Sequence, residues 1–450
     1  MKPIPTVLAA LSGVAAGALV VWRRSLADRF PDDVRRFHAD PLNDLLCAGH
    51  TTTDDARIWL RAESTGSLMV SVRDDRGHTQ SHTIPSPVSA ERGHTGAFSL
   101  KKAGFDLRQN AAYTVSVRVD GRSLGECNLR TTATPERSPD RITIGICSCN
   151  NPFNQRGEIS PQATELLEHA AQGWTENDVH HGFLLGDQMY ADLPYRFSLF
   201  DDDYFPLVGP LGRESVLDCS AAEVRRLMHD RYRLFTKPDG FQDLLRCVAT
   251  HAILDDHEIL DNWGSGPDHK TERYAALKQG AREAFLDYQG SRGLDCEQLP
   301  DDFDQTWQHG VVSAYILDIR SNRQATEDTI TIYSNAQLQR FSRWLEEQAD
   351  QHVILLGLSV PFLHVPDWMA TVGATMLGDD SDAADRWSYY KARKTRDDLL
   401  QVLKRHLTAH PRQHLIIMSG DIHVGCINRI DWDDDTPPMY QISSSAIPPA

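Results

Sequence analysis

The stretch ATHAILDDHEILDNWG, Ala249 to Gly264, passes from small apolar residues into a knot of acid and imidazole: Asp255, Asp256, His257, Glu258, Asp261 and Asn262. Other apolar runs end in the same way. Cys147 and Cys149 close ITIGICSCN, Asp187 and Tyr190 follow HHGFLLG, and Asp421 and His423 follow HLIIMSG. Taken singly, each has an ordinary reading. A strand cysteine is usually a small core residue, a Gly-Asp pair is a turn, and an Asp beside a His is a helix cap or an ion-pair partner. Recurrence is what those readings leave unexplained. Several strands ending in oxygen, nitrogen or sulfur donors would bury competing charges in one crevice, and such charges need a compensating cation.

The donor types narrow the cation. A thiolate and a phenolate are strongly donating anions that favour a high-charge transition metal such as ferric iron, while the remaining carboxylates suit a hard divalent ion: calcium, manganese or magnesium. The simplest reading is a two-metal centre. Ions roughly 3.5 to 4 Å apart can clamp phosphoryl oxygens, activate water and stabilise a leaving oxygen in one in-line displacement.

Such residues need elements to hold them. After Arg141, short apolar runs (ITIGIC, HHGFLL, RCVATHAIL, VVSAYIL, HVILLGL and HLIIMS) alternate with helical stretches such as SPQATELLEHAAQG and AQLQRFSRWLEEQAD. This predicts an α/β domain over residues 141–450 whose sheet is covered on both faces, with the site at the carboxyl ends of its strands. Residues 43–132 read differently. In ARIWLRAE, Ala56, Ile58, Leu60 and Ala62 alternate with Arg57, Trp59, Arg61 and Glu63, as in a half-buried strand, and Asp120-Gly121 sits between two such runs as a hairpin turn. A small antiparallel β-sandwich is expected there. TATPERSPDR supplies the linker to the larger domain.

Residues 1–30 hold an uncharged run, Pro3 to Trp22, about 30 Å long as a helix and so sufficient to cross a bilayer. It reads as an anchor or a signal segment, giving a chain that is membrane-anchored or exported to the cell envelope. Arg23, Arg24 and Arg29 follow the run, and the positive-inside rule then sets the orientation against export. A length of 450 residues calls for more than one domain. The net charge of −17 argues against a nucleic-acid partner. The eight cysteines lack the spacing of a disulfide framework or zinc finger.

CSCN, LGDQMYAD, LDDHEILDNW, LDIRSNR, LSVPFLH and SGDIHVG together resemble, in order and spacing, the PhoD-like alkaline phosphatases of the metallophosphoesterase superfamily. The resemblance extends from about Asn43 to the end of the chain. It implies a metallophosphoesterase-type layered sheet domain covered by helices, preceded by the β-sandwich. It also implies roles. Cys149 would be the thiolate ligand, Asp187 the bridging carboxylate and Tyr190 the phenolate on iron. Asp256, Asp421 and His423 would complete a binuclear centre of Fe3+ with Ca2+, with Mn2+, Mg2+ or Zn2+ as alternatives at the second site. His257 would protonate the leaving group or stabilise the transition state, with Asp255 and Glu258 as support orienting Asp256 and His257. Arg320, and less directly Arg323, would hold phosphate oxygens. Trp387 and Tyr389 would wall the pocket, and the acidic run Asp201–Asp203 reads as a solvated surface.

The expected activity is hydrolysis of phosphate monoesters, diesters or both by metal-bound hydroxide, without a covalent enzyme intermediate. The rival reading is a membrane-tethered binding protein whose phosphatase domain keeps its metals without turnover.

Overall fold

The structure is a computed structural model that describes residues 43–154 and 156–446. The expected anchor over Pro3–Trp22 lies outside the described residues. Among the described residues, no helix is long and apolar enough to cross a membrane.

Seven strands form the N-terminal module: β1 (Leu45–Thr51), β2 (Ala56–Arg61), β3 (Leu68–Asp74), β4 (Thr79–Ile84), β5 (Thr95–Ser99), β6 (Ala112–Val119) and β7 (Arg122–Arg130). They pair antiparallel in two sheets, β1-β2-β5 and β4-β3-β6-β7. Ile58, Leu60, Val70, Val72, Val115 and Val117 fill the space between them. Asp120 (φ 49°) and Gly121 (φ 81°) close the β6–β7 hairpin with both central residues left-handed, the geometry that matches strand twist.

β2 departs from the expected alternation. Trp59 and Arg61, placed on a solvent face by their spacing, are wholly buried. The outer face of β1-β2-β5 lies against the larger domain, so period two marks which residues share a face without saying what covers the other one. Trp59 enters that contact as its main anchor. Its indole N–H donates to the carbonyl of Asp287 at 2.8 Å, and the Arg292 guanidinium lies 5.1 Å from its ring centre. Asp287 sits in a turn of π-helix, Leu286–Gly290, where the widened winding leaves its carbonyl free to accept from Trp59, Thr95 and Ser291. Trp59→Ala is expected to destabilise the protein by about 3–5 kcal/mol, the usual cost of emptying a buried aromatic site. Chemical denaturation checks it; an unchanged midpoint would show that the seam contributes little.

In the larger domain, β8 (Ile144–Cys147), β9 (His181–Leu184) and β10 (Thr250–Ala252) form a parallel sheet in the order β10-β9-β8. A second sheet follows from β11 (Gln305–His309) and β12 (Val312–Ile316); β13 (Gln324–Ala325) and β14 (Ile330–Thr331) make a separate ribbon. β15 (Val353–Gly357), β16 (His414–Ser419), β17 (Cys426–Ile430) and β18 (Met439–Ser443) complete the order β11-β12-β15-β16-β18-β17. Its four central strands are parallel and both edges antiparallel.

The two sheets face each other across Phe183, Ile253, Trp307, Ile316, Leu355 and Met418. Helices α1 (Pro161–Glu176), α2 (Ala221–Phe235), α3 (Asp239–Cys247) and α4 (Glu272–Phe285) cover the first sheet. Helices α5 (Asn335–Glu347), α6 (Asp367–Leu377) and α7 (Arg393–Ala409) cover the second. The layers therefore run helix, sheet, sheet, helix. A continuous apolar strand needs both faces dry, and here the second sheet, rather than a second helix layer, dries the inner one. Serine caps fix the helix starts: Ser160 accepts from the Ala163 N–H, and Ser220 and Ser334 form capping boxes with Glu223 and Gln337.

Parallel register brings the strand ends level, with Cys147 opposite Leu184 and Leu184 opposite Ala252. Gly420, just past β16, carries the second sheet up to that point. Its N–H donates to the Ser359 carbonyl at 2.8 Å, and a Cβ there would stand 2.5 Å from the Leu185 carbonyl oxygen and from Ser148 Cβ. No other residue type fits this approach of backbones.

Candidate metal centre

Asp187, Asp255, Asp256 and Asp421 each offer an oxygen within 4.8 Å of the others. Three come from loops after the first sheet's strands and the fourth from the second sheet. The Cys149 thiol donates to Asp187 Oδ2 at 3.5 Å, and the Cys149 and Asn150 N–H groups donate to the carbonyls of Gly186 and Asp187. Asp187 Oδ1, Tyr190 Oη, Asp255 Oδ2 and Asp256 Oδ1 are buried with no hydrogen-bond partner. Other buried polar atoms of the protein also lack a partner, but here three of the four are carboxylate oxygens of one cluster.

Electrostatics point the same way. Burial, then the charges of Asp255, Cys149 and Asp256, push the Asp187 carboxyl well above the usual range. Burial does the same to the Tyr190 phenol, helped by Cys149 and Asp187. The Cys149 thiol is pushed up to about 12, first by burial and then by Asp421 and Asp255. Groups so placed give up their protons only to a cation that compensates them. The donor set therefore fits a pair of metal ions: carboxylates around a shared centre, with thiol and phenol on one side.

The backbone is bent to make this possible. Cys149, Asp187, Asn262, Asp421 and His423 all have positive φ, between 56° and 66°. A left-handed cysteine or histidine is held by its surroundings at a cost of order 1–3 kcal/mol, and such strain gathers at functional sites. The bend also separates the two cysteines: Cys147 ends its strand inside the helix-side core, whereas Cys149 turns toward the carboxylates.

Glu258 organises the loops. Fully buried, it accepts from the N–H groups of Asp187 (3.2 Å), Gln188 (2.7 Å) and Asp255 (2.9 Å), and from the Gln289 amide (3.3 Å). Asp255 does more than the support role expected of it. One oxygen is held by Arg320 Nε at 2.5 Å and Ser359 Oγ at 2.8 Å, while the other belongs to the unpartnered set.

Arg320 is not where the sequence reading put it. Its side chain is fully buried, and its donors go to Asp255, to both oxygens of Asp385 (2.7 and 2.8 Å) and to the Trp263 carbonyl (3.2 Å). Arg323 is buried beside it, donating to Ser265 Oγ and the Asp385 carbonyl. Despite burial, these guanidiniums hold the Asp385 carboxyl well below its usual range. Both arginines brace the carboxylate loops from behind. Arg320→Met is expected to cost about 3–5 kcal/mol, since it strands buried carboxylates without a counter-charge; thermal melting checks it, and an unchanged transition would return Arg320 to a role in the cavity.

A cavity of about 460 Å³ opens in front of the centre, lined among others by Asp192, Asp256, His257, Asp382, Arg386, Asp421 and His423. His257 Nδ1–H donates to the Asp192 carboxylate, at 2.8 and 3.0 Å to its two oxygens, which directs Nε2 elsewhere. Burial opposes charge on this imidazole, but Asp192, Asp256 and Asp261 outweigh it and hold the pKa well above its ordinary value. His423 lines the same space without joining the carboxylate group, and burial lowers its pKa. Arg386 ion-pairs with Asp421 and is the arginine that reaches the cavity.

The PhoD-like phosphatase family model matches residues 146–447. The chain belongs to this family. A solved PhoD structure aligns with 90% of this chain and 77% of its own at 14% identity and a TM-score of 0.64, showing the same fold. A dimetal phosphatase from Danio rerio aligns with 68% of this chain and 88% of its own, at 12% identity and a TM-score of 0.36. No curated protein matches the sequence. Like others of the PhoD-like family, the chain is a phosphoric ester hydrolase that works through a binuclear metal centre.

Within this PhoD-like site, sequence reasoning missed Asp192, Asp382, Asp385 and Arg386. Asp192 closes LGDQMYAD, two residues past Tyr190. Asp385 and Arg386 open DRWSYYKARK, just before Trp387 and Tyr389, the residues expected at the pocket. Trp387 and Tyr389 do not wall the cavity: the Trp387 indole donates to the Val360 carbonyl, and Tyr389 Oη donates to Asp379. Asn262 does line it, its amide donating to Asp382 and its N–H to Asp256. Asp201 caps a turn by accepting from the N–H groups of Asp203 and Tyr204.

Proposed function

We propose that the chain hydrolyses phosphate monoesters, diesters or both at a centre held by Cys149, Asp187, Tyr190, Asp256, Asp421 and His423, with Asp255 as a further donor. The observation that carries this reading is the set of buried oxygens without a hydrogen-bond partner on Asp187, Tyr190, Asp255 and Asp256, the last within ion-pair reach of Arg320. We assign Fe3+ beside Cys149 and Tyr190, whose anions donate strongly to a high-charge metal, and Ca2+ to the hard carboxylate side. When bound, such ions make water nucleophilic near neutral pH and neutralise phosphoryl oxygens.

The protein's own groups supply the rest. Arg386, ion-paired with Asp421 at the cavity wall, offers its remaining N–H donors to a non-bridging phosphate oxygen, the part first given to Arg320. His257, oriented by Asp192, holds a proton on Nε2 and passes it to the departing oxygen. Water rather than a side chain attacks, so no covalent enzyme intermediate forms.

Elemental analysis of purified protein, run beside monoester and diester turnover, tests the reading. Two metals per chain with turnover are expected. A metal-free protein sinks the centre, and metal without hydrolysis across a phosphoester panel makes the chain a binding protein. We further propose an anchored or exported chain through Pro3–Trp22, checked by protease accessibility in intact cells.

A further inference from the structure

Helix α6 is built inside out. Its buried positions are Ala370 and Ala374, whereas Trp368, Met369, Val372, Met376 and Leu377 are exposed, three of them to 65%, 79% and 73% (Trp368, Met376, Leu377). From Trp368 to Leu377 there is no charged residue. Its hydroxyls are turned inward on the helix itself: Thr371 Oγ donates to the Asp367 carbonyl at 2.8 Å and Thr375 Oγ to the Thr371 carbonyl at 2.7 Å. A soluble helix shows the reverse pattern, polar residues outward and large apolar ones in. Apolar surface of this kind marks a place that meets something other than water.

Three observations select the occupant. First, α6 is about 16 Å long at 1.5 Å per residue, too short to cross a bilayer and suited to lying in its interface. Second, the charges beside it are spent on one another: Arg393 and Arg396 hold the Asp367 carboxylate at 3.0 and 2.7 Å, and Asp379, Asp397 and Asp398 pair with Lys391, Arg396 and Lys394. Exposed Asp380 follows the helix, so the face binds through its apolar residues and not by attraction to lipid phosphate. Third, the chain holds a second apolar element outside the described residues, the uncharged run from Pro3 to Trp22. Stable membrane association takes two such signals.

We infer that α6 docks in the head-group region of a phospholipid bilayer, with Trp368, Met376 and Leu377 among the acyl chains. The consequence reaches the cavity. The segment leaving α6 leads directly to Asp382 and Arg386, which line it, and on its other wall Ile422 and His423 lead to exposed Val424 and Ile427. Docking would set the cavity mouth at the membrane surface.

The test uses the full chain with vesicles of phosphatidylcholine and a minority of phosphatidylglycerol, brominated at shallow or deep acyl positions. Bromine quenching of tryptophan emission, taken as the difference between the natural chain and Trp368→Phe, isolates Trp368. We expect that component to be quenched by shallow more than deep bromines, and to be lost in Met376→Ser/Leu377→Ser, whose unchanged melting temperature confirms folding whatever the outcome of the phosphoester assays. Chain that floats with vesicles while the Trp368 component stays unquenched would overturn the inference, since Pro3–Trp22 alone would then hold the membrane. Concentration-dependent burial of Trp368 without vesicles would overturn it too, making a second copy the occupant.

Discussion

Asp187→Asn is expected to strip the centre and abolish turnover. Asp187 is the residue on which the arrangement converges: its Oδ2 accepts from Cys149, its Oδ1 is unpartnered, and it shares an oxygen group with Asp255, Asp256 and Asp421. An amide keeps the volume and one acceptor but removes the charge and one donor atom to a cation. Losing an outer partner of a metal ligand already costs about 10 to 100-fold in affinity or activity, so losing the shared carboxylate should cost at least about 10³-fold in kcat/KM. Elemental analysis should show less than the full metal complement. Fold should persist, because the Asn amide still sits where burial had pushed the carboxyl toward its neutral form. Full metal content and turnover in the variant would remove Asp187 from the centre.

His257→Asn should leave metal content intact while lowering kcat by about 10² to 10⁴-fold, the range general acids and bases supply. The reason for separating the two effects is geometric. His257 stands in the cavity wall with Nδ1 committed to Asp192, and both the hydrogen bond and the surrounding carboxylates favour a protonated ring. The loss should shrink for substrates with good leaving groups, which need no proton. A uniform loss across leaving groups would show that His257 acts on the phosphoryl charge instead, and a loss of metal would make it a ligand.

Much of the scaffold was legible because apolar strands and polar strand ends are local signals. ITIGIC, HHGFLL, HLIIMS and their companions became β8, β9, β16 and the rest, and the residues just past them became the centre. What could not be read was the partner across space. Period-two spacing put Trp59 and Arg61 on one face of β2, but the domain covering that face is supplied by residues far along the chain, Thr236, Asp287 and Arg292. Arg320 was expected to hold phosphate because LDIRSNR resembles the family's pattern. Its fate was set by Asp385, which is 65 residues away in sequence and hidden in a run of aromatics. Arg386, next to Asp385, then reaches the cavity in its place. Sequence shows which side chains are able to do chemistry; burial decides which of them are spent on each other.

The π-turn at Leu286–Gly290 has a consequence for how this protein is divided. Asp287 receives the Trp59 indole, and Gln289, two residues on, holds Glu258, which in turn fixes the N–H groups of Asp187, Gln188 and Asp255. One turn of backbone thus couples the seat of the β-module to the ligand loops. The family match begins at residue 146, yet a piece cut there would bare the seam and loosen the grip on Asp187 in the same stroke. A portable form of these catalytic layers has to bring the β-module with it, and grafting them onto a different front module would require carrying the tryptophan along.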